Sequence, residues 1–188
     1  MPKPTSMRTT LAAILLVLVC APTAGAYRLE GMRWRTATIT YYNEVPAYSW
    51  AVDSAAYAWN ASGARVKFLK TSRRNAQVLL GIRWFTPLGE ARIIPRNGRI
   101  VAARVGIRSG QDRYTMALVI AHELGHVLGL SHEGRVCATM NARLLALCPA
   151  PADGMWVCRL LRADDVRGAI SLYGGIVRPQ RGPEFCAR

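Results

Sequence analysis

The chain has 188 residues, of which 51% are hydrophobic and 8% aromatic, and its formal net charge at pH 7 is +14. This length and apolar content predict one folded domain with a sizeable core and exclude a disordered tail. The positive charge favours acidic partners. However, the arginines are scattered, and the sequence contains no aromatic stacking motif, P-loop or Gly-x-Gly-x-x-Gly segment. We therefore expect most of the charge to lie on a solvated surface and expect no nucleic acid as a partner.

The amino terminus is typical of a secretory signal peptide. Lys3 and Arg8 precede the apolar run LAAILLVLVCA, and Ala24 and Ala26 fit the small-residue rule for cleavage before Tyr27. An uncleaved membrane anchor is the alternative, but the apolar run is short for a bilayer span. We predict a signal peptide over residues 1–26 and one folded domain over residues 27–188. The expected protein is secreted, extracellular and monomeric, without a stable membrane anchor.

The cysteines that remain after such cleavage are even in number. They are Cys137, Cys148, Cys158 and Cys186, and in an oxidising compartment they predict two disulfides. A cysteine zinc cluster is the alternative, but no Cys-x-x-Cys pair is present to support it. Three pairings are possible, and the sequence does not choose among them.

The first half of the chain predicts a strand, a helix and two more strands. Residues 36–43, TATITYYN, alternate and are rich in β-branched and aromatic side chains, as in a strand. Residues 50–60 carry apolar side chains at helical spacing. Residues 65–70 and 76–84 again resemble strands. This order predicts a crossover connection and a partly parallel sheet.

The second half predicts further strands, a buried helix and a closing helix. In chain order these elements are a short edge strand GEARIIP (residues 89–95), a strand (99–107), a helix (115–129) capped from within residues 111–115, a loop rich in proline and cysteine (133–158), and a helix (162–174).

All histidines of the chain lie within residues 119–140, VIAHELGHVLGLSHEGRVCATM. His122 and His126 are four residues apart, so on a helix their imidazoles project from one face and can reach a single ion. Gly129 can end the helix in a left-handed conformation without a steric cost. The chain can then turn so that His132 supplies a third nitrogen.

This spacing indicates a catalytic zinc site. Three neutral histidines leave an open position for water, which is the catalytic arrangement, and Glu123 beside His122 can serve as general base and then general acid. A lone histidine on an apolar helix is more often a core residue, and His-Glu-x-x-His alone occurs by chance. The longer pattern His-Glu-x-x-His-x-x-Gly-x-x-His is far more specific, and it predicts a zinc hydrolase with one catalytic ion.

The segment HELGHVLGLSH resembles the zinc signature of the metzincin metalloendopeptidases, and Met140 in CATMN resembles their Met-turn. Among metzincins the sequence is most similar to the matrixins, the matrix metalloproteinase family. ADDVRGAISLYG resembles the closing helix of that family, which implies that Asp164 and Asp165 are structural carboxylates near the Met-turn. For one of them the alternative is a favourable charge at a helix amino terminus. The likeness covers roughly residues 36–174.

The resemblance implies a metzincin-type zincin fold of the α/β (α+β) class. Its parts are a twisted mixed sheet, an active-site helix that also carries Gly129, a Met-turn and a carboxyl-terminal helix. It also implies a zinc metalloendopeptidase whose protein or peptide substrate pairs with the edge strand GEARIIP. Residues 141–156 should wall the specificity pocket, and Leu144, Leu145 and Leu147 hint at an apolar preference.

Several features depart from the matrixin pattern. Residue 133 is glutamate, where matrixins usually have serine, and no PRCG-type cysteine switch occurs. No histidine remains to hold a second, structural zinc, and acidic calcium loops are not evident, so calcium is doubtful. The alternative functions are a non-catalytic secreted zinc-containing binding module of the same fold, and a basic protein that binds cell envelopes or nucleic acid.

Overall fold

A computed structural model describes residues 26–84, 87–149 and 159–178. In chain order the regular elements are β1 (Arg28–Leu29), β2 (Arg33–Trp34), β3 (Thr38–Asn43), α1 (Ser49–Ala61), β4 (Lys67–Lys70), β5 (Val78–Ile82), β6 (Gly89–Arg96), β7 (Arg99–Ile107), α2 (Arg113–Leu128), β8 (Leu130–Ser131) and α3 (Ala163–Tyr173). Two 3-10 turns, Pro46–Tyr48 and Arg73–Asn75, precede α1 and β5.

Six strands form one mixed sheet with the path β2-β7-β5-β3-β4. β2 and β5 pair with successive parts of one edge of β7, and β6 pairs with its opposite edge. All of these pairs are parallel except β6 with β7. The crossover β3-α1-β4 returns the chain to a parallel neighbouring strand, as the sequence predicts. The predicted fold class is thus confirmed. The strands β1, β2 and β8, two residues each, are too short to be recognised from periodicity.

The edge strand β6 is set by a tight hairpin. Asn97 and Gly98, which connect β6 to β7, have positive φ angles of 52° and 69°, as in a type I′ turn, where Asn-Gly is the favoured pair. A register shift occurs between Ile94 and Pro95, and a proline is tolerated there because an edge strand needs fewer donors. Among the described residues β6 pairs only with β7, so its other edge is free for a ligand.

The core lies between the sheet and the helices α1 and α2. Trp59 of α1 is fully buried, and its indole N–H donates to the carbonyl of Ala121 in α2 at 3.0 Å. Trp34 of β2 likewise donates to the carbonyl of Val127 at 2.7 Å. Each buried side chain of this size contributes about 1.5–3 kcal/mol through removal of apolar area from water. These two indoles therefore fix α2 relative to both α1 and the sheet.

The helix α2 begins and ends where the sequence predicts, within two residues. Asp112 caps it, because its Oδ1 accepts from the N–H groups of Tyr114 and Thr115 at 2.9 and 3.0 Å. Gly129 ends it in the left-handed conformation with φ of 101°. The central turns are buried on nearly all sides, so a helix with unusually few polar residues positions the site.

Of the predicted disulfides, the structure contains Cys137–Cys148. Cys158 and Cys186 lie outside the described residues, as do residues 1–25 of the predicted signal peptide. No helix within the described ranges is long and apolar enough to cross a membrane.

Candidate active site

The three histidines meet at one point. The Nε2 atoms of His122 and His126 are 3.1 Å apart, those of His126 and His132 are 3.2 Å apart, and those of His122 and His132 are 3.3 Å apart. His122 and His126 project from one face of α2, while Gly129 and the short strand β8 return the chain so that His132 faces them. Among the described residues this is the cluster that could hold a metal ion.

The other nitrogen of two of these rings is held by a backbone carbonyl. Nδ1 of His122 donates to the oxygen of Thr139 at 2.7 Å, and Nδ1 of His126 donates to the oxygen of Leu130 at 2.8 Å. A carbonyl can only accept, so in the neutral ring the proton is on Nδ1 and the lone pair is on Nε2. Burial, together with the neighbouring histidines, lowers the pKa of His122 to about 4, and burial lowers that of His126. Both rings therefore favour the neutral, metal-binding form.

This donor set fits a zinc ion. Lone pairs that converge at 3.1–3.3 Å repel one another, and a cation between them would remove that repulsion. Zinc-nitrogen bonds of about 2.0–2.1 Å in a tetrahedron place the nitrogens about 3.3–3.4 Å apart. The observed separations are close to that value.

Glu123 is buried beside the histidines. Its side chain is 5% exposed, and its Oε2 has no hydrogen-bond partner among the described residues. Burial, followed by the charge of nearby Glu90, raises the pKa of Glu123 to about 8, whereas a backbone hydrogen bond from Ala91 opposes the rise. The pKa of a general base that works near neutral pH lies in this range, although a bound cation would lower it.

Two residues of β6 that sequence reasoning missed shape the surroundings of Glu123. The N–H of Ala91 supplies its backbone hydrogen bond. A methyl group at Gly89 would lie 2.5 Å from Glu123 Oε1 and 2.8 Å from Val119 Cγ1. The segment GEARIIP was predicted as an edge strand, but nothing in its sequence indicates that it crosses α2 at this glutamate.

Met140 packs against α2 at Gly125, the residue before His126. It is 2% exposed, and a methyl group at Gly125 would overlap its sulfur atom. Gly125 is therefore a further residue that the sequence reading did not single out. It allows the methionine to approach the helix between the two histidines of α2.

The turn at Met140 is held by Asp165 of α3. The carboxylate accepts N–H groups from Thr139 at 2.9 Å and Met140 at 3.0 Å, and also from Arg162 at 2.7 Å. Asp164 has a different position: its Oδ1 accepts the N–H of Ala26 at 3.0 Å. Of the two predicted carboxylates, only Asp165 is hydrogen-bonded to this turn.

Glu133, the residue after the third histidine, joins the segment that carries His132 to the turn at Met140. Glu133 is buried, its N–H donates to the oxygen of Met140 at 2.8 Å, and its carbonyl accepts from the side-chain amide of Asn141 at 2.9 Å. Its carboxylate accepts the N–H of Arg135. The departure from the usual matrixin serine thus falls at a position that connects His132 to the turn at Met140.

A cavity of about 860 Å³ lies above this cluster. One wall is residues 87–93, which include the first part of β6, and the opposite wall is residues 141–144. Leu144 lines it, whereas Leu147 is 46% exposed and Leu145 packs against the core. The remainder of the predicted wall, residues 150–156, lies outside the described residues.

The mixed sheet, the helix with the histidines and the closing helix define the class of matrixin-like catalytic domains. The chain belongs to the matrixin family, because the family model described as Matrixin matches residues 34–174. The resemblance found in the sequence is thereby confirmed, and the family supports a zinc metalloendopeptidase.

Two curated relatives are similar over a shorter segment. Matrix metalloproteinase-27 from Homo sapiens is 35% identical over 71 residues, which are 38% of this chain and 12% of the relative. Matrix metalloproteinase-27 from Tupaia belangeri is 38% identical over 63 residues, which are 34% of this chain and 11% of the relative. The matched segments thus cover only about an eighth of these relatives' length.

Proposed function

We propose that this chain is a secreted zinc-dependent endopeptidase that hydrolyses peptide bonds in proteins. The observation that carries the proposal is the convergence of three histidine Nε2 atoms within 3.3 Å beside a buried glutamate in one cavity. His122, His126 and His132 would hold the zinc ion. When bound, zinc supplies a Lewis acid that activates water and polarises the scissile carbonyl.

The proton transfer is assigned to Glu123. Its Oε2, which has no partner among the described residues, would take a proton from the attacking water and return it to the leaving amine. Its other contacts hold it in place: Ala91 donates a backbone N–H to the carboxylate, and Gly89 leaves room for it. Both come from β6, so the strand that supports the base is also the strand proposed to bind substrate.

Substrate would bind as an added strand along β6. The free edge of β6 borders the cavity, and an extended peptide there can form main-chain hydrogen bonds while its side chains enter the cavity. The opposite wall contains Leu144, which supports an apolar preference, and Arg143, which would favour an acidic group nearby. Pairing with an edge strand selects for unfolded or extended segments of a protein.

Secretion is proposed from the amino-terminal sequence. Removal of residues 1–26 would leave a domain that starts at Tyr27. Expression of the full chain in a secreting host, followed by amino-terminal sequencing of the released protein, tests this. Retention of the protein in the cell with its apolar segment intact would contradict it.

The activity is tested with a quenched fluorescent peptide library and the protein from Tyr27 onward. We expect cleavage that stops on chelation, returns with zinc, and falls at least about a thousandfold in Glu123→Gln, since the general base is lost. The matched control is Glu44→Gln, which removes one carboxylate from an ion pair with Arg73 away from the site. A zinc-loaded wild-type protein that cuts no peptide would reject the enzyme and favour a binding module of the same fold.

A further inference from the structure

The outer face of the sheet, opposite α1 and α2, carries arginines in direct cross-strand register. Arg92 of β6 faces Arg104 of β7, and Arg96 faces Arg99. On the other edge of β7, Arg33 of β2 also pairs with Arg99. All five are exposed, and we call them the arginine stripe. Directly opposed like charges destabilise a sheet, so this face carries unrelieved repulsion.

No acid in the described part of the chain forms an ion pair with this stripe. The ion pairs found there join Lys70 to Asp53, Arg73 to Glu44, and Arg167 to Asp164. Within the stripe, Arg33 donates to the carbonyl oxygen of Leu172 at 2.6 Å, which is a neutral acceptor. Glu90 is the acid on the same face of β6, at its cavity end. An anion from outside would relieve the repulsion among the guanidinium groups.

The arginine stripe is elongated along the strands. At about 3.3 Å per residue, Arg92 and Arg96 are about 13 Å apart along β6, and the two opposed pairs stand at either end of this length. The exposed side chains between them are aliphatic: Ile94 is 38% exposed and Val101 is 41% exposed. A linear polymer with repeated negative charges fits such a surface better than a single small anion does.

The composition of these strands distinguishes between classes of polyanion. Neither β6, GEARIIPR, nor β7, RIVAARVGI, contains an aromatic residue, and the Trp34 side chain of β2 is buried. Single-stranded nucleic acids are bound largely by stacking of bases on aromatic side chains. Membrane surfaces are likewise bound with tryptophan, phenylalanine or leucine inserted beside the basic groups. A polyanion without bases or acyl chains remains.

We propose that the arginine stripe binds a linear sulfated polysaccharide. Planar guanidinium groups donate two parallel hydrogen bonds to an oxyanion, and opposed pairs would bind successive sulfate groups along the chain. Because Arg92 also lines the cavity, the polysaccharide would lie beside the cleft on β6. This surface goes beyond the proposed peptidase and does not depend on it, since neither the histidines nor Glu123 belongs to it.

The test is binding of the protein from Tyr27 onward to heparin, measured by titration at several salt concentrations. The stripe variant is Arg99→Gln with Arg104→Gln, and the control variant is Arg28→Gln with Arg135→Gln, which removes the same charge from exposed positions elsewhere. We expect the stripe variant to lose about tenfold in affinity, because two exposed charged contacts are removed at about threefold each. The control should lose less than about twofold, because it alters only long-range attraction, which salt screens.

The salt dependence gives an independent readout. Loss of two anion contacts should reduce the slope of log affinity against log salt by about 1.4, by analogy with single-stranded polyanions. A zinc chelator should leave heparin binding unchanged, which separates this proposal from the peptidase. A third variant, Arg99→Lys with Arg104→Lys, preserves charge and should retain most of the slope.

Three results would overturn the proposal. Equal losses in the stripe and control variants would mean that net charge alone attracts the polymer. Absence of heparin binding at physiological salt would show that the arginine stripe is not a binding site for a sulfated polysaccharide. Tighter binding to single-stranded DNA or phosphatidylserine vesicles than to heparin, lost in the stripe variant, would assign the surface to another class of polyanion.

Discussion

Replacement of Asp165 by asparagine should loosen both the turn at Met140 and the zinc site. Oδ2 of Asp165 accepts N–H groups from Thr139 and Arg162, and Oδ1 accepts the N–H of Met140. Asparagine has one carbonyl oxygen, so at least one buried N–H would face an amide NH₂ that cannot accept. An orphaned buried donor costs about 1–3 kcal/mol. We therefore expect the free energy of unfolding of Asp165→Asn to fall by about 2 kcal/mol, net of any relief from burying less charge.

The effect should reach the metal through His122. Its Nδ1 donates to the carbonyl oxygen of Thr139, whose own N–H is held by Asp165. Loss of a group that orients a metal ligand typically lowers affinity by about 10- to 100-fold. Because Asp165 acts on His122 only through Thr139, the zinc affinity of Asp165→Asn, measured by competition with a chromogenic chelator, should fall by about 10-fold, the lower end of that range.

The assay is thermal unfolding followed by circular dichroism, with saturating zinc and with chelator. For a domain of this size, 2 kcal/mol corresponds to a lower midpoint by about 4–8 °C. The matched control is Asp164→Asn. Both variants are made in a chain that retains Ala26, so that the control keeps an acceptor for the Ala26 N–H and loses only a 3.8 Å contact with Arg167. Its midpoint should fall by less than about 3 °C, since such a partly exposed pair contributes under about 1 kcal/mol. Equal midpoints and equal zinc affinities in the two variants would refute the reasoning.

Three further changes probe local features. Gly129 has φ of 101°, and a methyl group added there would overlap a backbone carbonyl, so Gly129→Ala should lower the free energy of unfolding by about 3 kcal/mol or more. The control Gly110→Ala, at φ of 94° with open space around it, should lower it by only about 1–2 kcal/mol. Urea unfolding measures both losses, and similar values would contradict the overlap. Asp112→Ala should lose about 1 kcal/mol as the helix cap disappears, and Asp112→Asn much less, because asparagine caps equally well. Hydrogen bonds to the carboxylate, first of all from the Thr115 hydroxyl, lower the pKa of Asp112 in the folded protein. The advantage of wild type over Asp112→Asn should therefore be complete above the unfolded-state pKa of about 4 and be lost as the pH falls from there through the lower folded-state pKa. A constant difference from pH 7 to pH 2 would rule this out. Reduction of Cys137–Cys148, separated by 11 residues in the chain, should lower stability by about 3 kcal/mol through the entropy of the loop, and an unchanged urea midpoint in Cys137→Ser would show that the loop is held by other contacts.

Most of the elements were predictable because their signals are local. Alternation in residues 36–43 and 99–107, and the apolar spacing in residues 50–60, gave strands and a helix whose boundaries hold within about two residues. The hairpin turn was also readable in principle, since Asn97 and Gly98 form a favoured pair for it. The two-residue strands were not, because their conformation comes from pairing with distant segments.

In the candidate site, too, local features were predictable from the sequence and contacts between distant segments were not. The sequence by itself determined the zinc signature, since His122 and His126 share a helix face at a fixed period and Gly129 is suited to end that helix. The resemblance implied that Asp164 and Asp165 both lie near the turn at Met140, and only the tertiary structure decided that Asp165 is the one that holds it, across a separation of 26 residues from Thr139. It also decided that Gly89 of β6 adjoins Glu123. Such contacts depend on the packing of whole elements and on strand register, and neither leaves a periodic signal in the sequence.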